Sequence, residues 1–361
     1  MAERVVLHVG SMKSGTSFVQ NVLGHNKERL LDQGVLFPGA RWKSQVSAVQ
    51  DLIGSGGPEQ KPMEPTGRWR TLADEVNAWS GTAVVSMEFL GPRTAEQISR
   101  IVASFPGARV EAVMTCRDLG RNIPAMWLES TQNGATTGWS DYLTAVRDED
   151  RSQPAGRNFW RHQAIPGMAN KWAKGVGRDQ LTLVTVPRPG AAPDLLWQRF
   201  ASVLGVDPGA CDLDVRANPS IGLATAEVLL RLNRRMLDDD GNLPRSYDKY
   251  VKHILAKRGL VSRQGTEPRL GLSEDWVVRR GAKQVQRLLA DGHRVVGDLD
   301  ELRPQPVPGV HADDVALEDQ LSAAVDGLAH LVESWHVAER KQRRAARQAA
   351  RGGGAAKGAA T

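Results

Sequence analysis

Along the first two hundred residues, short apolar runs alternate with stretches of helical spacing. Residues 5–9, Val-Val-Leu-His-Val, are a β-branched run ended by Gly10, which predicts a buried strand. A Gly/Ser loop follows, and residues 16–32 carry helical spacing closed by Gly34. Further strands are predicted at 82–86, 110–115 and 181–186, the last stopped by Pro187. Helices are predicted at 94–104 and 141–147, with 170–174 inside another. Strands alternating with helices predict a central parallel sheet covered on both faces, a three-layer α/β domain.

Beyond Pro219 the pattern turns helical. Asn218-Pro-Ser220 has the composition of a helix start. Ala226, Leu229, Leu230 and Leu237 then fall on one face, which the polar Asn233 interrupts. Residues 293–296 predict a brief return to strand. The expected organisation is an α/β core over 1–215 and a mainly helical extension packed on it over 216–303. A Pro-rich linker at 304–311, a C-terminal helix at 312–351 and a low-complexity, disordered tail at 352–361 complete it. There is no internal repeat.

Charge changes this picture less than its total suggests. The chain of 361 residues carries a formal +6, with 47 basic and 41 acidic side chains. Seven of the basic residues (Arg340, Lys341, Arg343, Arg344, Arg347, Arg351, Lys357) lie in 340–361, where no acid occurs; residues 1–339 hold 40 basic against 41 acidic residues. The core is neutral, so nucleic acid is an expected partner only through the tail. Two cysteines, Cys116 and Cys211, make no disulfide framework. The apolar run at the start is too short for a signal sequence, and no segment is long and apolar enough to span a bilayer. The expected setting is cytoplasmic.

The most informative segment is Gly10-Ser-Met-Lys-Ser-Gly-Thr-Ser17. A glycine-rich turn from a buried strand into a helix presents unpaired N–H groups and the positive end of the helix dipole to an anion. Lys13 adds a cation, and Ser14, Thr16 and Ser17 add hydroxyls. Gly10 and Gly15 have the separation of a Walker A loop, but Thr16 stands where that motif needs lysine. A plain strand-to-helix turn is the bland alternative.

The order Lys-Ser-Gly-Thr-Ser after a first strand resembles the 5'-phosphosulfate loop of sulfotransferases that use 3'-phosphoadenosine-5'-phosphosulfate (PAPS). The resemblance implies a P-loop-like fold, with Lys13 at the bridging oxygen and sulfuryl group. It assigns Ser14, Gly15, Thr16 and Ser17 to the 5'-phosphate. It further assigns Arg117, just past the third predicted strand, to the 3'-phosphate. The family places a serine eight residues after that arginine; here the position is Ala125, and Arg121 is a candidate substitute. For Arg117 the alternative is a surface salt bridge to Asp118. The stretch around Pro124 and Trp127 looks like a bacterial, mainly actinobacterial, branch. The resemblance also runs through Leu181-Thr-Leu-Val-Thr-Val-Pro and Leu195-Leu-Trp-Gln-Arg-Phe-Ala-Ser-Val-Leu-Gly205, about two-thirds of the chain.

Sulfuryl transfer requires a base for the acceptor's hydroxyl or amine. The second of these strands, 82–86, delivers Glu88 to the same carboxyl edge, where heparan-type sulfotransferases hold a catalytic glutamate. Glu88 is therefore the expected base, with His162 as runner-up and His8 read as buried structure. A salt-bridge or helix-start carboxylate is the other reading of Glu88. The expected donor is PAPS, the acceptor a small molecule or carbohydrate, and no metal set is visible among the eight histidines. The rival readings are a P-loop-type nucleotide kinase and a catalytically idle nucleotide-binding protein with a basic tail. Trp127, Trp139, Trp160 and Trp172 either line an acceptor pocket or fill the core.

Overall fold

The computed structural model describes residues 1–54, 65–215 and 220–355, with side chains to 345. Asn218 and Pro219 of the expected helix start, and residues 356–361 of the expected disordered tail, lie outside the described residues. In chain order the elements are β1 (Arg4–His8), α1 (Thr16–His25), α2 (Lys27–Leu31), β2 (Val35–Leu36), α3 (Trp42–Ile53), α4 (Arg68–Asn77) and β3 (Thr82–Ser86). Then come α5 (Ala95–Ala103), β4 (Arg109–Cys116), α6 (Leu119–Gln132), α7 (Trp139–Arg147), α8 (Pro154–Gln163), α9 (Ile165–Val176) and β5 (Leu181–Thr185). The remainder is α10 (Leu195–Leu204), α11 (Leu223–Met236), a π-helix (Asp248–Leu260), α12 (Asp275–Asp291), β6 (Arg294–Val296) and α13 (Leu317–Ala355). The single helix expected over 16–32 is two. Asn26 breaks it, because its amide donates to Asp212 O (2.8 Å) while its carbonyl accepts from Asp212 N (2.7 Å).

The chain divides into two units. The first comprises residues 1–126, 143–218 and 273–307; the second comprises 127–142, 219–272 and 308–361. Residues 273–307, placed by sequence mostly in a helical extension, thus belong with the sheet.

In the first unit, six parallel strands run in the order β2-β3-β1-β4-β5-β6. Alternation of side chains along each strand fills two separate cores. Val5, Leu7, Val85, Met87, Ala112, Met114 and Leu183 face α3, α4, α5, α9 and α12. Val6, Val84, Val113 and Val184 face α1 and α10, against Val19, Leu23, Trp197 and Phe200. This is the three-layer α/β arrangement with both sheet faces covered, and near-continuous apolar strands are its cause. β1 sits between β3 and β4. The chain moves to one side of β1 to make β2 and β3 and then crosses to the other, which opens a crevice at the carboxyl ends of the strands.

In the second unit, α13 packs against the π-helix and α11. Trp127 and Trp139 form an edge-to-face pair with centroids 5.4 Å apart, and Trp139 stacks on Tyr142. All three are buried, as are Trp160 and Trp172 in the first unit, so these tryptophans are core. Among the described residues no helix is long and apolar enough to cross a membrane.

Candidate functional site

Beneath the loop that follows β1 lies a row of polar side chains on the α1/α10 face of the sheet. His8 ends β1 and is paired in register with Ser86, the last residue of β3. His8 Nδ1 is 2.7 Å from Ser86 Oγ and its Nε2 is 3.2 Å from Thr115 Oγ1 on β4. The ring also packs on Phe200. Complete burial pushes its pKa down to about 3, so His8 is a neutral structural imidazole. Apolar neighbours would have left the loop's own polar groups unsatisfied here.

The loop is tied down from three sides. Ser11 N donates to Thr115 O and Thr115 N to Gly10 O, which extends the β1–β4 ladder beyond the strand. Ser14 Oγ donates to Ser11 O (2.5 Å) and lies 2.7 Å from Thr115 Oγ1. This fully buried hydroxyl is consumed inside the loop, so any ligand contact by Ser14 falls to its backbone amide. Gln163, at the end of α8, donates from Nε2 to Met12 O at 2.8 Å and is itself held by Asn122 Nδ2.

Besides Gly10 (φ 112°), two positions in the loop have positive φ, Lys13 (φ 60°) and Gly15 (φ 78°). Glycine is suited to the second, where φ is positive at the helix start. Gly15 is the residue before α1 and supplies no side-chain cap to the first amides of that helix. Thr16 is buried and Ser17 half-buried beside them. Ser11 Oγ is a buried hydroxyl with no hydrogen-bond partner among the described residues. An anion seated against the loop would meet these amides, and the orphaned hydroxyl lies in the same turn.

Arg117 begins the segment after β4. Its Nη1 donates to Lys13 O at 3.1 Å, which brings the two predicted cations to one edge of the loop. Burial, and secondarily the adjacent Arg121 cation, depress the Arg117 guanidinium to about 10, still protonated at neutral pH. The alternative partner, Asp118, is already engaged. It ion-pairs with Arg121 and accepts from Arg121 N at 2.9 Å. Arg121 also donates to Pro187 O (2.9 Å) and Val186 O (3.4 Å). Its two terminal guanidinium nitrogens thereby serve the segment after β5, and its Nε serves Asp118. Ala125 lies in α6, two turns on from Arg117.

Glu88 follows β3 in a short 3₁₀ turn, Glu88–Leu90. A Cβ built on Gly10 would stand 3.4 Å from Glu88 Cα and Cβ, so the carboxylate-bearing turn packs directly on the loop's first residue. Gln20 Nε2, on the buried face of α1, donates to Glu88 Oε2 at 2.9 Å and to Ser86 O at 3.3 Å. Gln20 was missed at the sequence level; its signal would have been a polar residue at a core position of α1, one turn after Thr16. The turn itself is fixed from below, where a Cβ on Gly91 would press to 2.6 Å from Val9 O.

His162, the runner-up base, is buried with its Nδ1 unpartnered among the described residues. Burial, with the nearby Arg161 and Arg93 cations, pushes its pKa down to about 3. The sheet thus brings Gly10–Ser17, Lys13, Arg117 and Glu88 to one carboxyl edge. Cations, free helix amides and a carboxylate on one loop suit binding an oxyanion beside a proton acceptor. Among the described residues no group of three or more His, Cys, Asp or Glu is arranged to hold a metal ion.

No family model matches the chain, and no curated protein is significantly similar to it. A solved structure, a sulfotransferase from Alicyclobacillus acidocaldarius, aligns with a TM-score of 0.41 at 14% identity, covering 61% of this chain and 88% of that one. A likeness of that extent decides nothing about chemistry.

Proposed function

We propose that the chain is a PAPS-dependent sulfotransferase, moving a sulfuryl group onto a hydroxyl or amine of a small-molecule or carbohydrate acceptor. The observation that carries the reading is the meeting of Arg117 with the Lys13 carbonyl on a loop whose first glycine touches Glu88. Two cations and a carboxylate thereby meet at one candidate oxyanion cradle. The residues present fit the donor: uncapped amides at the start of α1, the orphaned Ser11 hydroxyl, and a half-buried arginine for a second phosphate.

PAPS supplies a sulfuryl group activated as a mixed anhydride with its 5'-phosphate. In this reading the amides of Ser14 to Ser17 hold that phosphate, and Lys13 offsets negative charge developing on the transferred oxygens and leaving phosphate. Arg117 holds the 3'-phosphate and braces Lys13 through its carbonyl. Glu88 accepts the acceptor's proton as the new O–S or N–S bond forms and the S–O bond to the phosphate breaks, its electron pair leaving with the phosphate. Gln20 keeps the carboxylate aimed. With two buried thiols and a neutral core, a cytoplasmic setting is part of the proposal.

Calorimetric titration with PAP, the desulfated product, tests it. Wild type should bind, and Lys13→Ala and Arg117→Ala should each weaken binding at least tenfold. Glu88→Gln should keep PAP affinity within about twofold while abolishing turnover. Binding of Mg–ATP with none of PAP would sink the proposal.

A further inference from the structure

The C-terminal helix α13 has two unlike faces. Gln320, Ala323 and Gly327 are buried within the second unit, where a Cβ on Gly327 would contact Leu255. His330 on the same face covers Gly259. A second face carries Leu317, Leu321, Val325, Leu328, Val332 and Trp335, every one more than half exposed. From Leu321 the spacing is 4, 3, 4, 3, which is a strict heptad seam with Val at a and Leu or Trp at d. Solvated helix faces are polar; a continuous apolar seam on a well-formed helix calls for a cover.

We infer that this seam is a dimer interface, pairing α13 antiparallel with α13 of a second copy of the chain. Two observations choose the occupant and its direction. The first is extent. Six side chains of this size, open along about five turns, approach the ~800 Å² per partner of a standard stable interface.

The second is charge. Glu318 and Asp319 sit in the first turn of α13, with Asp313 and Asp314 in the short turn before it, whereas Arg340, Lys341, Arg343 and Arg344 follow the seam with no acid among them. A parallel pair would stack like charges at both ends. An antiparallel pair about a two-fold axis at Leu328 sets Leu321 against the partner's Trp335 and Val325 within one residue of the partner's Val332. It also brings Arg340 to within one turn of the partner's Glu318 and the partner's Asp319. The small residues beside the seam, Ser322, Ala324 and Ala329, allow close helix approach. A lipid surface fits less well, because acids Glu318, Asp319, Asp326 and Glu333 share the helix with the seam.

Sedimentation equilibrium of the full chain is the test, with Leu328→Glu as the perturbed form. Leu328 is 63% exposed, so the substitution spares the monomer's core, and unchanged circular dichroism and melting would verify that. Wild type should dimerise at micromolar concentration, and Leu328→Glu should weaken association at least a hundredfold by placing two carboxylates on the axis. Mixing Leu321→Cys with Trp335→Cys chains should give the mixed disulfide in preference to either symmetric one. A wild type monomeric at several hundred micromolar overturns the inference. So does prevalence of the Trp335→Cys self-linked product, which would mean a parallel pair. Co-sedimentation of a monomeric chain with anionic phosphatidylserine vesicles, lost in Leu328→Glu, would assign the seam to a membrane instead.

Discussion

Gln20 Nε2 stands 2.9 Å from Glu88 Oε2, and this bond joins the first helix after the loop to the turn after β3. Gln20 is 3% exposed, so its amide is preorganised by packing rather than by solvent. The same nitrogen also reaches Ser86 O, whose residue closes the His8 pair. A carboxylate held this way is fixed in direction before any substrate arrives. Gln20→Ala should lower kcat by about ten- to a hundredfold, as loss of orientation at a proton acceptor does. PAP affinity should move by less than twofold, since the partners of the Gln20 side chain, Glu88 and Ser86, lie outside the loop. If PAP affinity falls in step with kcat, Gln20 supports the whole loop and not the carboxylate.

Arg117 and Ala125 make an opposed pair of tests at one phosphate. Arg117→Ala removes both a desolvated cation and the brace on Lys13 O. Charge-assisted hydrogen bonds contribute about 1.5–3 kcal/mol, so PAP binding should weaken by about ten- to a hundredfold. Ala125→Ser restores a hydroxyl that the resemblance places on the same phosphate, and PAP binding should tighten by up to about tenfold. Titration of the two variants in one buffer checks both. An unchanged affinity in Ala125→Ser would mean that α6 does not reach the ligand.

His8 makes folding of the first unit depend on pH. Burial lowers its pKa from 6.5 to about 3, so between these values the unfolded chain binds a proton that the folded chain refuses. The histidine's penalty is absent above about pH 6.5 and grows as pH falls toward 3, and His162 behaves alike for the same reason. Each contributes a slope of up to about 1.4 kcal/mol per pH unit in that window. Urea unfolding at pH 7, 6, 5 and 4 should show wild type losing stability faster than His8→Gln, the carboxylates acting equally on both. Parallel curves would show that His8 becomes protonated in the folded protein.

What the sequence made legible follows from where single side chains report on the backbone. Residues 82–86 and 181–185 are buried on both sheet faces, and their short runs rich in β-branched residues gave the strands to within a residue. β2 has two residues, too few for any period, and α3 and α4 went unnoticed beside it. The loop was legible because its glycines, lysine and hydroxyls are contiguous. Its hydroxyls divided by environment, however, and Ser14 turned into the sheet to meet Thr115, which lies 101 residues away. The bonds of Gln20 to Glu88 and of Arg121 to Pro187 rest on contacts between distant segments, which no local pattern encodes.

Asn233 shows the same limit in the second unit, and it supports a prediction of its own. By sequence it interrupts the apolar face of α11; in the structure it is fully buried. Its Nδ2 donates to Thr131 O and Ala135 O, both at 2.8 Å, and its Oδ1 accepts from the Tyr247 hydroxyl at 2.6 Å. One amide therefore satisfies two carbonyls at the end of α6 and a buried phenol. Burial also holds the Tyr247 pKa above its ordinary value of 10, so the phenol remains a donor across the working range. Asn233→Leu completes the apolar stripe and raises helix propensity, which a pattern-based reading would score as stabilising. It also strands the Tyr247 hydroxyl and the Ala135 carbonyl, each costing about 1–3 kcal/mol when unsatisfied, and leaves Thr131 O with Gly134 N as its remaining partner. The orphaned groups outweigh the gain, and unfolding of the second unit should lose about 3 kcal/mol or more, read by urea denaturation with near-ultraviolet circular dichroism. A variant as stable as wild type would mean that water replaces the amide there.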